Sequence, residues 1–351
     1  MQEAFTESNT MKVTRRAVLA LAVFGSLVAL PQLSQSKADA QSRPVELTLV
    51  SYAVAKPVFE KLIPEFQKEW KAKTGQTVTF KESYGASGAQ TRAILGGLEA
   101  DILAQNITSN VTPLVDKGLV RSNWNQRLPN NASPATTVMG IIVRPGNPKK
   151  IQTWADLARP GVSLVSLNPK TSGNARWGIL AGYGSILKAQ GANSARTFLF
   201  NFAKNITTQV NSGREATDAF VKNRVGDALI NFENEIIVTN DAVPRDFPYI
   251  VPSANVRVDF PVTVIDTVVD KRGTRRVAEA FTQFLFTPKA QAIYAEAGYR
   301  PFDRQVFQRY SKQFKPVKQL RTIADFGGWP TIDKTLYADG ALFDQAQRAA
   351  R

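Results

Sequence analysis

Asn168-Pro169-Lys170-Thr171-Ser172-Gly173-Asn174-Ala175-Arg176-Trp177 follows the apolar run 162–167 and precedes the spaced apolar residues Trp177, Leu180, Ala181, Ile186 and Leu187. The run reads as a buried strand and the spaced residues as one face of a helix. A short polar turn therefore delivers Ser-Gly-Asn to a helix start. The first N–H groups of a helix have no partner within it, and the helix dipole makes that end partly positive. Beside a hydroxyl, such an end suits a small anion. The same residues also suit a simple cap made by Thr171 or Ser172. Working outward from this turn separates the two readings.

The chain of 351 residues has no His and no Cys. That excludes a Ser-His-Asp triad, thiol nucleophiles, disulfides and zinc held by His or Cys. Carboxylate chemistry, Ser-Lys pairs and all-oxygen metal sites survive. Neither GxxxxGK[ST] nor GxGxxG occurs, so the common nucleotide-phosphate signatures are missing. No cofactor is expected.

Lys12, Arg15 and Arg16 precede an apolar or small stretch at 17–30, closed by Pro31 and followed by Ala38-Asp39-Ala40. This reads as a secretory signal peptide over 1–40, cleaved after Ala40 to leave a mature chain from Gln41, with Met11 a candidate start. The apolar stretch is shorter than the ~20 residues of a membrane span. Thr14-Arg15-Arg16 has a faint twin-arginine character, but no cofactor motif calls for folded export. The ordinary secretory route and a periplasmic location are expected, an oxidising place that suits a cysteine-free chain. Losing Lys12, Arg15, Arg16, Lys37, Glu3, Glu7 and Asp39 changes the net charge from +15 to +14. The basic residues are scattered and not interleaved with aromatics, so the field collects small anions and no nucleic-acid groove is expected.

Strand and helix patterns alternate: strands at 45–51, 77–83, 101–104, 136–143, 162–167, 207–210, 227–231 and 261–266, with helices between most of them. Repeated βαβ units imply an α/β protein with doubly wound, mostly parallel sheets. The polar Asn- and Pro-containing stretch 123–134 separates two blocks. Two lobes are expected: lobe I from 41–134 and 262–302, lobe II from 135–261 and 303–351, with a cleft between them. Ligands of such folds bind at the carboxyl ends of strands.

Two more loops take that place. Ser83-Tyr84-Gly85-Ala86-Ser87-Gly88-Ala89-Gln90 and Val210-Asn211-Ser212-Gly213-Arg214-Glu215-Ala216 also run from strand to helix. Three such loops favour a ligand site over three unrelated caps. Their donors suit a fully ionised oxyanion, because charge-assisted hydrogen bonds are short and strong. A protonated oxyanion needs an acceptor, and Glu82, Glu215 and Glu233 lie near the loops in sequence. Arg176 either neutralises the ligand or braces its loop from behind; bracing is the preferred reading. Trp154 and Trp177 read as packing anchors. The carboxylates of Phe232-Glu233-Asn234-Glu235 are assigned to a surface or hinge, with a carboxylate-based exported enzyme as the competing class.

The segments SYGASGAQ (83–90), LNPKTSGNARW (167–177), GDALINFENE (226–235), YRPFD (299–303) and FGGWPTIDKTLYADGALFDQ (326–345) resemble the periplasmic sulfate-binding proteins of bacterial sulfate ABC transporters, and also their thiosulfate-binding paralogues. The resemblance implies a two-lobed type II periplasmic binding fold and a dehydrated sulfate dianion held in the cleft by N–H and hydroxyl donors, without a direct countercharge. It implies a binding protein, not an enzyme, that works as a monomer with the permease and ATPase subunits of a transporter. It assigns ligand contacts to Ala53, where the family often has Asp, and to Ser87, Ser172, Gly173 and Asn174, the last commonly Gly. It also assigns Gly213-Arg214, in a turn one residue shorter than usual. Phe232 stands where enterobacterial members carry an indole-donating Trp, so one donor is missing.

Overall fold

The stretch Val45–Tyr52 (β1) is buried at every position from Leu49 onward, as expected of a central strand. A computed structural model describes residues 43–242 and 247–351; the basic and apolar segments before residue 31 and the cleavage pattern at 38–40 lie outside them. The helix Lys56–Thr74 follows β1 and buries Phe59, Leu62, Ile63, Phe66 and Trp70. It stops at Gly75, whose φ of 74° is left-handed and whose N–H bonds back to Lys71. Val78–Gly85 (β2), the helix Ser87–Leu95 and Ile102–Ala104 (β3) complete the first block.

The chain then makes Ala135–Thr137 (β4), Met139–Val143 (β5), Leu164–Leu167 (β6), Ile206–Val210 (β7), Ala228–Phe232 (β8) and Tyr249–Ile250 (β9). The helices Gly173–Gln190, Ala192–Lys204 and Gly213–Val221 lie between β6 and β8. Short strands follow: Ala254–Val256 (β10), Val258–Asp259 (β11), Val262–Val264 (β12), Arg300–Pro301 (β13) and Gln319–Arg321 (β14). Residues Pro44–Arg351 make one compact unit.

Two main sheets result. One has the order β12-β3-β1-β2 and the other β7-β6-β8-β5-β9. Their centres are parallel, while β12 runs antiparallel to β3 and β5 antiparallel to both β8 and β9. The expected single strand at 136–143 is two strands. β4 pairs with β11 and β13, whereas β5 joins the five-stranded sheet. Val138 lies between them, and its carbonyl accepts the Glu233 N–H. Every residue from Ala135 to Val143 is buried, so the apolar pattern hides the change of sheet.

The chain returns to the first sheet with the helix Arg275–Phe284. Phe281 from that helix meets Phe66 at 5.1 Å and Phe80 at 4.9 Å between ring centroids. Trp154 and Trp177 are buried, and Trp177 packs edge-on against Trp329 at 4.7 Å. Among the described residues no helix is long and apolar enough to cross a membrane.

Candidate functional site

The carboxyl ends of β1, β2, β3, β6 and β7 all contribute to one small cavity. Tyr52, Ala53 and Val54 come from β1 and the turn after it, and Gly85, Ala86 and Ser87 from the end of β2. Asn106 follows β3; Ser172 and Asn174 follow β6; Ser212 and Gly213 follow β7. The helices Ser87–Leu95, Gly173–Gln190 and Gly213–Val221 begin at its wall. Three helix starts, whose first-turn N–H groups have no backbone partner one turn earlier in their own helix, thus converge on one small space. Two larger hollows, each of about 270 Å³, lie against the segment Asp325–Leu336 and beside Trp124. Neither gathers such donors.

Side-chain capping distinguishes the three helix starts. Ser212 caps its own helix: its hydroxyl accepts the Glu215 N–H at 3.3 Å and donates to the Glu215 carboxylate at 2.9 Å. Ser172 occupies the extended N-cap position but makes no side-chain cap hydrogen bond, so its hydroxyl is not committed to the helix. Ser87 Oγ accepts the Gly173 N–H at 2.8 Å, across 86 residues of sequence. A hydroxyl that accepts this bond still has its own proton to donate. A second bond runs from the Gly88 N–H to the Thr171 carbonyl at 3.0 Å.

Glycine permits this approach. A Cβ on Gly173 would lie 2.3 Å from Asn106 Oδ1 and 2.6 Å from Ile107 Cγ2. One on Gly213 would lie 2.8 Å from Asn174 Nδ2 and 2.9 Å from Val54 Cγ2. The loops of the two sheets touch backbone to side chain, and no larger residue fits without displacing a partner.

Charged groups stand behind the cavity. Arg176 donates to the Pro169 carbonyl at 2.9 Å, to Asp333 at 3.1 Å and to Ser109 at 3.4 Å. It braces its loop and does not line the cavity. Lys170 ties the same loop to the Tyr337 carbonyl at 2.7 Å and to Asp339 and Asp344 at 2.9 and 3.2 Å. The Arg214 guanidinium turns to Glu235 at 3.1 Å, and Glu235 also accepts from Thr217 at 2.9 Å. Burial pushes the Glu235 carboxyl up to about 7, against the opposing pull of Arg214 and the Thr217 hydroxyl.

The assignment of Glu233 and Glu235 to the surface is corrected. Both are at most 1% exposed. Glu233 accepts from Arg300 at 2.7 Å and from the Lys315 N–H at 3.1 Å. Their cationic partners come from remote elements, which short-range spacing does not reveal. Glu215 is held by the Asn211 N–H and Ser212, and the exposed Glu82 by the Tyr84 hydroxyl. Among the described residues no carboxylate lines the cavity.

Of the sequence-derived candidates, Ala53, Ser87, Ser172, Asn174 and Gly213 line one cavity. Gly173 reaches it through Ser87. The side chains of Arg214 and Arg176 serve ion pairs, and Phe232 is fully buried, edge-on to Phe260 at 5.5 Å. The sequence reading passed over Asn106. Its signal was a polar pair, Gln105-Asn106, directly after an apolar strand; the absence of glycine there hid it.

A family model described as "Bacterial extracellular solute-binding protein" matches residues 47–300. The chain belongs to the bacterial extracellular solute-binding proteins. Like them it has the two-lobed type II fold, and the family consists of binding proteins, not enzymes. Among its relatives in this family, the chain is similar to the sulfate-binding protein of Synechococcus elongatus, 41% identical over 99% of both chains. It is also similar to the thiosulfate-binding protein of Pseudomonas aeruginosa, 38% identical over 84% of this chain and 90% of the other. Among solved structures it is similar to the sulfate-binding protein SubI of Mycobacterium tuberculosis. There the TM-score is 0.76 at 34% identity, over 84% of this chain and 99% of that one.

Proposed function

We propose that this solute-binding protein captures sulfate and delivers it to a membrane ABC transporter. The observation that carries this reading is the cavity itself: three helix starts and the Ser87 and Ser172 hydroxyls, with no carboxylate among its lining residues. Such a site offers hydrogen-bond donors to a dianion and does not place a negative charge against it. Its small size, bounded by eleven lining residues that carry no long side chain other than Tyr52, suits a small inorganic anion. The names of the relatives support sulfate, with thiosulfate as the second reading.

The contacts in this proposal are the Ala53, Asn174, Gly213 and Arg214 N–H groups and the Ser87 and Ser172 hydroxyls. The Gly173 N–H acts on the anion by polarising Ser87. Lobe I comprises 41–134 and 262–302 and lobe II 135–261 and 303–351, so the cavity lies where the lobes meet. The protein acts as a monomer in the periplasm, exported by residues 1–40 and starting at Gln41, and docks on permease and ATPase subunits. N-terminal sequencing of exported protein that still carried residues 17–30 would overturn the cleavage.

The test is calorimetric titration of the ligand-stripped mature chain with sulfate and thiosulfate. One saturable site per chain, without turnover, is expected. Neither heat nor a thermal shift at millimolar concentrations of both ions would refute the reading.

A further inference from the structure

Asn106 is the one residue of the loop after β3 that lines the cavity, and its side chain is out of keeping with its surroundings. Its backbone is pinned: the carbonyl accepts the Trp177 indole N–H at 2.6 Å, and the preceding Gln105 N–H donates to the Pro261 carbonyl at 2.7 Å. The Gln105 carboxamide is fully used as well. It donates to the Ser87 carbonyl at 3.2 Å and accepts from Asn110 at 3.1 Å, which shapes the Ser87 loop from beneath. Asn106 is only 3% exposed, yet its Oδ1 is buried without a hydrogen-bond partner. Leaving a carboxamide oxygen so placed is unfavourable, and native interiors rarely do it.

The neighbouring Asn174 shows what a fixed amide looks like. Its Nδ2 donates to Asn231 Oδ1 at 2.6 Å. Asn231 cannot turn, because its Oδ1 also accepts the Phe232 N–H at 2.9 Å and its Nδ2 donates to Thr217 at 3.1 Å. Asn174 is locked, with its own oxygen buried and unpartnered. No such bond fixes the Asn106 amide. A half-turn about its last torsion exchanges oxygen for NH₂ and breaks no hydrogen bond at Oδ1. The amide lies over Gly173 at a helix start, as the 2.3 Å approach of its Oδ1 to a Cβ built there attests.

We propose that Asn106 is a ligand-contacting, specificity-determining residue whose carboxamide NH₂ donates to the bound anion, adding a side-chain amide donor to the Ser87 and Ser172 hydroxyls. This rests on the oxyanion reading of the same cavity.

The experiment measures sulfate binding and thermal unfolding of the mature protein and of the Asn106→Ala and Asn106→Asp variants at pH 8. The expected result for Asn106→Ala is sulfate binding weakened about tenfold to a hundredfold, with ligand-free stability unchanged or raised, since an unsatisfied buried group has been removed. Asn106→Asp keeps the shape and replaces donor by anion, so its affinity should fall further than that of Asn106→Ala. A purely structural Asn106 predicts the opposite pattern, with stability lost and affinity kept. Sulfate affinity of Asn106→Asp within twofold of the unmodified protein overturns the proposal, whatever Asn106→Ala does to folding. If the unmodified protein itself binds neither sulfate nor thiosulfate, the oxyanion reading has failed, a result distinct from the failure of Asn106 alone.

Discussion

Gly173→Ala should separate binding from folding. Gly173 is the first residue of the helix Gly173–Gln190, where alanine is conformationally acceptable. The added methyl would stand 2.3 Å from Asn106 Oδ1, 2.6 Å from Ile107 Cγ2 and 3.1 Å from Ile107 Cβ. The carboxamide can swing away; the branched Ile107 side chain, fully buried, cannot move so freely. Overpacking of this kind costs about 1–3 kcal/mol. Because helix and loop belong to different sheets, the ligand-free chain can relieve the clash by opening the cavity. The strain then falls on closure around the ligand and weakens binding about 5- to 150-fold. Calorimetry gives the affinity, and thermal unfolding without ligand gives the stability. Unchanged affinity, or a loss of ligand-free stability of the full 1–3 kcal/mol with no change in affinity, would refute the reasoning, since the contact would then belong to a rigid core.

Ser172→Ala should weaken sulfate binding by about one to two decades, the worth of a hydrogen bond to a charged group, ~1.5–3 kcal/mol. Stability should hold, because Ser172 makes no side-chain cap bond; calorimetry showing unchanged affinity would reduce it to a spacer. Glu235, raised to about 7 by burial, keeps a proton in the folded state that the unfolded chain releases near its ordinary value of about 4.3. Its contribution to stability is therefore complete below about 4.3 and declines as pH rises toward 7. Glu235→Gln should remove that decline, so its melting temperature relative to the unmodified protein should climb from pH 5 to pH 8; parallel curves would contradict this. Phosphate, partly protonated even as a dianion, should bind at least tenfold more weakly than sulfate in competition from pH 5 to 9, since a ligand O–H facing a donor costs ~1–3 kcal/mol. Equal affinities at any pH would mean that the Asn106 or Asn174 oxygen accepts the ligand's proton.

Most of the scaffold was legible because its signals are local. The apolar runs of β1, β6 and β8 and the spacing of Phe59, Leu62, Ile63, Phe66 and Trp70 report burial directly. Two features were not. The break at Val138 is invisible because both strands it separates are buried. The helix Gly213–Val221 begins inside the stretch read as a loop at 210–216, although Ser212 and Glu215 stand in the spacing of a capping pair and bond to each other.

The site was legible wherever glycine and serine mark a strand-to-helix turn, and obscure wherever its parts come from afar. Charge misleads most. A chain with a formal net charge of +15 invites a cationic anion site, yet three cations on the loops around the cavity are each met by an acid: Arg176 by Asp333, Arg214 by Glu235, Lys170 by Asp339 and Asp344. Pairing leaves these groups to fix the loops, while the wall of the cavity is left to N–H and O–H dipoles. Dipoles act over a short range and in set directions, so an anion gains from them only if its oxygens fall where the donors point. A lone guanidinium would attract any anion; loops held rigid by paired charges can favour one geometry. The excess positive charge is thus free to act at long range, gathering anions toward a site that does not itself depend on it.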